Sequence, residues 1–487
     1  MRRALESLII VLAATVAVAG CANGNIIWSY DEDTEVQAGV KQHARILDQT
    51  GTYNNTRLSD YVDAVGKKIA ATSDRPKLQW HFTVIDTAVP NAFATQGGYV
   101  YITRGMLALL QSDDELAAIL AHEIGHICAQ DIPHQQAVGN IMALGVLATI
   151  VAVPEFLLFP QLAAAPEGAG MAAISRKDEL NADRLGTEYL RRAGFPPEAM
   201  QTSMDMLTSM EAYEREQNKT AGKTSQWWHR VYASHPTAEE RQEKISDATA
   251  SSSKKLEQTT GPHSEFLSYL DGLEVGSSKY QGIAYGNARY FADLQLTVEV
   301  PDGWIALLNI KRDQLWLVQT EKNARIKIEK FASIDVNDPC KWLGYQPVTD
   351  TKPIRNQAQP SCTGLARKWH PTLLGDKEET FRAGVIAYSK GFGLGYLFNG
   401  FAEQKNFAEI DPIFLRITGS IEHLLPDRKI PNPPTLRIRL AKKGDTFASL
   451  ARNSRLTEKN PESMLRLVNR SYPSGEPQPG KLIKIIE

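Results

Sequence analysis

The sequence predicts a multidomain protein: a mainly α domain with a small sheet, then an α+β accessory domain, then a small βααβ module. Three observations carry that expectation. Residues 116–129, LAAILAHEIGHICA, read as an apolar helix interrupted only by His122, Glu123 and His126. Past a polar, Ser/Lys/Thr-rich stretch at 249–262, the apolar spacing changes from helical to alternating. Past the prolines at 431–434, the pattern runs strand, helix, helix, strand. The corresponding segments are 22–248, a linker at 249–265, 266–430 and 435–487.

The chain of 487 residues is long enough for several cores, and 43% hydrophobic with 23% charged residues is ordinary for folded protein. A formal net charge of -2 gives no electrostatic case for nucleic acid, and no nucleic-acid motif is present. Residues 1–20 read as a signal peptide: Arg2 and Arg3, an apolar stretch, then Val18-Ala19-Gly20-Cys21. That ending resembles a bacterial lipobox, which implies lipid attachment at Cys21 and cleavage before it. Ala22, in place of Asp, implies the outer membrane, with the protein on its periplasmic face. An ordinary secretory signal or a membrane anchor is the competing reading of the same segment.

Taken in order, residues 23–33 look like a tether, and 35–47 and 58–71 have helical apolar spacing. Residues 78–86 alternate as a strand, with Leu78, Trp80, Phe82 and Val84 on one face. Asn91, Ala92 and Phe93, the pair Gly97 and Gly98, and the β-rich stretch 99–103 follow. A strand placed just before the HEIGH helix can pair with an extended substrate through backbone hydrogen bonds, or simply be structural.

Ser112 and Glu115 predict a capping box at the start of the HEIGH helix. Four residues advance a helix by about 400°, so His122 and His126 share one face, with Glu123 beside them. Three ionisable groups in an apolar helix cost several kcal/mol unless something pairs with them. Zinc is the matching partner: two imidazoles as ligands, the carboxylate between them as general base. A catalytic zinc held by two histidines needs one more protein ligand. In the helix opened by SRKDELNAD, Glu179 fits that vacancy, and Asp183, one turn on, can accept the free ring N–H of a zinc histidine. Between the two helices, 137–165 is nearly uncharged and reads as a buried hairpin or a lid, since its longest apolar run, 141–153, is short for a membrane span.

HEIGH, the later E-x-x-x-D helix, the N-A-F…G-G strand and Ser234-His235-Pro236 together resemble gluzincin metallopeptidases of the HtpX and CAAX prenyl-protease type, in particular their periplasmic lipoprotein members. The resemblance covers roughly 35–245. It implies one zinc ion per chain on His122, His126 and Glu179, with Glu123 as base. It also implies a place near the metal for His235, steadying the oxyanion or occupying the open zinc position. The residues alone read equally as a helix start, Ser-His-Pro-Thr before Glu239, Glu240 and Arg241. Two positions depart from the family: Gln130-Asp131 stands where Arg-His is frequent, and Gln96 where Pro is frequent before the glycines.

In the accessory region, 294–300, 315–320 and 325–330 alternate as strands, 384–389 and 396–401 form a hairpin, and Asp411-Pro412 signals a helix start. Cys340 and Cys362 are a possible disulfide, which would add about 3 kcal/mol in the loop-entropy account. Cys128, on the HEIGH helix, reads as a buried inert thiol. The last module resembles LysM, which implies contact with peptidoglycan, although a plain structural cap has the same pattern. The resulting expectation is a zinc metalloendopeptidase, lipid-anchored in the envelope and acting on misfolded or extended envelope proteins. The alternative is a chaperone-like or peptidoglycan-binding assembly factor with a latent zinc site.

Overall fold

A computed structural model of the chain describes residues 32–131, 176–221, 263–276, 282–285, 288–308, 313–319, 322–335, 338–344, 348–354, 361–372, 375–387, 392–424, 432–456 and 460–487. The first helix, α1 (Glu32–Thr50), is followed by α2 (Thr56–Ala70). Asn55 caps α2 by accepting from the Leu58 amide. Its apolar stripe of Leu58, Val62, Val65 and Ile69 is buried, as its helical spacing requires.

Strands β1 (His81–Ile85), β2 (Ala92–Thr95) and β3 (Tyr99–Thr103) form one sheet in the order β1-β3-β2. β3 pairs in parallel with β1 and antiparallel with β2. This changes the reading of the stretch before the HEIGH helix. Both backbone edges of β3 are occupied and all five of its residues are buried, so it cannot take up a substrate strand. Among the described residues, the sheet edge beside the HEIGH helix that pairs with no further strand belongs to β2.

Gly97 and Gly98 also have a structural place. They close the β2–β3 turn with φ of +75° and +88°, where glycine is the residue of choice. A Cβ on Gly98 would lie 2.3 Å from the Gln79 carbonyl oxygen.

After β3 come the short helix α3 (Arg104–Leu109) and the HEIGH helix α4 (Asp113–Cys128). Ser112 caps α4 by accepting from the Glu115 amide at 3.3 Å. Glu115 accepts from Gln111, one residue before the cap, at 2.8 Å, so the expected capping box closes one position early. All residues from 115 to 127 are buried. The helices α5 (Arg176–Arg192) and α6 (Ala199–Ala221) pack on α4.

The helix α7 (His263–Leu270) and the segment after it, read from the sequence as the start of the accessory domain, instead join this first core through Phe266, Leu267, Leu270, Leu273 and Val275. Apolar side chains from the end of the chain, among them Leu436, Phe447, Leu465 and Ile486, join it as well.

The accessory region has its own core, built on a seven-stranded antiparallel sheet. In spatial order its strands are Val348–Pro353, Ser361–Thr372, Gly375–Ala387, Phe392–Phe401, Ala324–Asp335, Gln314–Gln319 and Ile305–Leu308. A second sheet has four strands. The helix Gln404–Gly419 contradicts the start expected at Asp411-Pro412, because Pro412 lies inside it. Phe407, Ile410, Phe414 and Ile417 bury one face along its length, while Asp411 turns away to pair with Arg382 at 2.7 Å. That packing outweighs the one backbone hydrogen bond a proline removes. The last module is helical between two antiparallel strands, Leu436–Leu440 and Leu482–Ile486.

Candidate metal centre

α4 and α5 cross close enough for backbone to touch backbone. A Cβ on Gly125, the glycine of HEIGH, would stand 2.8 Å from the Ala182 carbonyl oxygen, and one on Gly186 would stand 3.1 Å from the His122 nitrogen. Only helices free of side chains at those points bring Glu179 within reach of both histidines.

The Nε2 atoms of His122 and His126 are 3.1 Å apart. Glu179 places Oε2 3.5 Å from the first and Oε1 3.4 Å from the second. All three side chains are buried. Among the described residues they form the one group of His, Cys, Asp or Glu arranged to hold a metal ion.

These distances test the fit of a zinc ion directly. Bonds of about 2.0–2.1 Å in a tetrahedron put ligand atoms roughly 3.3–3.4 Å apart; the two imidazole nitrogens stand close to that separation, and each of the two Glu179 oxygens stands close to it from one of them. The outer ring nitrogens agree. Nδ1 of His122 lies 2.9 Å from Asp183, and Nδ1 of His126 lies 2.9 Å from Asp131. A carboxylate behind each Nδ1 holds the proton there and turns the Nε2 lone pair inward. Two lone pairs facing each other beside a carboxylate call for a cation. Burial lowers the His126 pKa, but Asp131 and Glu179 outweigh it and, with Glu123, push it up to about 10, so the surrounding carboxylates favour positive charge at this point.

Glu123 is buried on the same helix next to His122. Of the β2 residues, Ala92 joins the core that α4 belongs to, while Phe93 stacks on Tyr101 in a separate cluster with Ile46 and Leu47. Asp131 was missed in the sequence, where it registered only as a departure from the family pattern. The available signal was an acidic residue less than two turns beyond the second histidine. Cys21, His235 and the apolar stretch 137–165 lie outside the described residues. Cys340 and Cys362 are joined by a disulfide with Cα atoms 5.0 Å apart, in the accessory region and away from this site.

Two imidazoles one turn apart, a glutamate from a crossing helix and a carboxylate behind each imidazole define a zinc-metallopeptidase type of centre. Residues 56–249 match Peptidase family M48, and this stretch is an M48 metallopeptidase domain. Over 197 residues the chain is 28% identical to the beta-barrel assembly-enhancing protease of Escherichia coli (strain K12), covering 37% of this chain and 38% of that protein. It is 32% identical over 182 residues to the putative beta-barrel assembly-enhancing protease of Vibrio cholerae, covering 34% and 36%. It is 32% identical over 202 residues to mitochondrial metalloendopeptidase OMA1 of Schizosaccharomyces pombe, covering 40% and 54%. The chain thus matches little more than a third of the length of the first of these relatives.

Proposed function

We propose that this protein is a zinc metalloendopeptidase of the bacterial cell envelope that cleaves extended or misfolded segments of envelope proteins. The buried group of His122, His126 and Glu179, with ligand atoms gathered closely enough to share one metal ion and Glu123 alongside, carries the reading. Zinc held there supplies Lewis-acid activation of water and of the scissile carbonyl. Glu123 takes the proton from the attacking water and delivers it to the leaving amine nitrogen. Asp183 and Asp131 keep the two imidazoles in one tautomer and orientation. The β2 edge offers backbone donors and acceptors to an extended peptide, which favours unfolded segments over folded ones.

The envelope assignment draws on the signal-like start with Cys21, on the Cys340–Cys362 disulfide, which needs an oxidising compartment, and on relatives named for beta-barrel assembly. His235 is carried into this proposal from the resemblance alone, as a group near the metal that either steadies the oxyanion or occupies the open zinc position. Peptidoglycan contact through the last module rests on the LysM-like order of its elements.

The deciding experiment compares the parent, Glu123→Gln and His126→Ala on an unfolded casein substrate, with zinc measured in each. The expected result is zinc without cleavage for the first variant and loss of zinc for the second. Casein cleavage by Glu123→Gln at the parent rate would overturn the mechanism. A zinc-loaded parent that cleaves nothing would favour an assembly factor with a latent site.

A further inference from the structure

The last turn of a helix leaves carbonyl groups without partners inside the helix. α3 ends without a glycine, at Leu110 in an extended conformation (φ -70°, ψ 142°), and runs straight into the link to α4. Its exposed-end carbonyls are satisfied from more than 370 residues away along the chain: Lys484 donates from Nζ to Ala108 O at 2.7 Å and to Leu110 O at 2.5 Å. Lys484 is 1% exposed, and its own backbone is pinned in both directions by the Asn469 side chain, at 2.8 Å each.

The start of α3 reaches the other way. Arg104, buried and paired with Asp86 at 2.7 Å, donates to Glu274 O at 2.7 Å and Gly276 O at 2.8 Å. That segment runs beside the strand Leu436–Leu440, with Gly272 donating to Leu436 O at 2.8 Å and Leu436 donating to Leu273 O at 2.7 Å.

The link between α3 and α4 is held from the same module. Gln111 donates to Val468 O at 2.9 Å. Arg470 pairs with Glu115 at 2.8 Å, in the first turn of α4 and two turns before His122, and also donates to Thr202 O at 2.9 Å. A plain apolar seam would need none of these groups. Burial pushes the Lys484 ammonium down to about 7, with Glu115 opposing and Arg470 adding to the shift. A side chain that burial disfavours is retained where its loss would leave two buried carbonyls unpaired.

We propose that the C-terminal module, residues 432–487, is a brace for the catalytic helix, in which Lys484 and Arg470 are positioning residues. By fixing the α3–α4 link they set the register in which α4 presents His122 and Glu123. The kinetic consequence rests on the peptidase reading above, and the structural one does not.

The test uses the full chain with Lys484→Met, which keeps length and removes the donor, and Arg470→Gln, whose side chain is 23% exposed and so tolerates change. Three quantities are measured: hydrogen exchange over residues 104–116, kcat and KM on unfolded casein, and zinc content. For Lys484→Met the expected result is exchange about tenfold faster or more. kcat should fall roughly 10- to 100-fold, the scale of a misplacement near 1 Å, with KM and zinc content held. Arg470→Gln should move the same way by less, and Lys484→Arg should restore part of kcat.

Parent-like exchange in both folded variants would overturn the brace, and Arg470→Gln alone decides it should Lys484→Met fail to fold. Faster exchange with kcat unchanged would overturn the positioning role. Faster exchange in the variants with no hydrolysis by any form, the parent included, would support the brace and fail the peptidase reading instead.

Discussion

Removing the carboxylate behind His126 should weaken zinc binding in graded steps while leaving all three ligands in place. Asp131 Oδ2 lies 2.9 Å from His126 Nδ1, and the pair is almost wholly buried. A hydrogen bond to a charged group contributes about 1.5–3 kcal/mol. At roughly 1.4 kcal/mol per factor of ten, that is about 10- to 150-fold in affinity. Outer carboxylates behind metal histidines independently fall at about 10–100-fold.

Asp131→Ala should therefore raise the zinc Kd by about 10- to 100-fold. Asp131→Asn keeps an acceptor oxygen but drops the charge, and since charge-assisted bonds are about twice as strong as neutral ones, its loss should be about half as large in free energy. Asp183→Ala, acting through His122 over the same 2.9 Å, is the matched comparison. Competition against a chromophoric chelator at one fixed neutral pH reads all four proteins. An Asp131→Ala Kd within about twofold of the parent would refute the assignment of Asp131 as the group that orients His126.

Two further predictions concern the fold and the anchor. Gly39→Ala should destabilise the peptidase domain by about 1–3 kcal/mol, read as a lower Tm, because its Cβ would sit 2.1 Å from the Gln96 carbonyl oxygen, against backbone that cannot swing aside; a parent-like Tm would show that α1 can lift off the sheet freely. Cys21→Ser should abolish incorporation of labelled palmitate and release the protein from the outer-membrane fraction, and an unlabelled parent with unchanged fractionation would point to another anchor.

The parts of the site that could be read from the sequence are those set by spacing within one helix. His122 and His126 are four apart, as are Glu179 and Asp183, and a helix turns such pairs onto one face whatever surrounds it. Asp131 could not be read that way, because it lies beyond the end of α4 and its reach to His126 depends on how the chain turns there. The strand before the HEIGH helix was recognisable as a strand, but its partners were not. Pairing with β1 and β2 occupies both edges of β3, and among the described residues β2 lies at the edge of that sheet beside α4. At Asp411-Pro412 a local start signal was overruled by four buried apolar residues spread along the helix Gln404–Gly419, which begins seven residues earlier.

By itself, then, the sequence determined the zinc-ligand chemistry, the capped apolar helix that carries it and the order of the elements, because each depends on residues within a few positions of one another. The tertiary structure decided which strand lies at the centre of the small sheet, which carboxylate backs His126, and that the last module shares a core with the peptidase helices. Those outcomes turn on contacts such as Lys484 with Ala108 and Arg470 with Glu115. No periodicity records a contact between residues hundreds of positions apart, and burial alone makes such a bond worth forming.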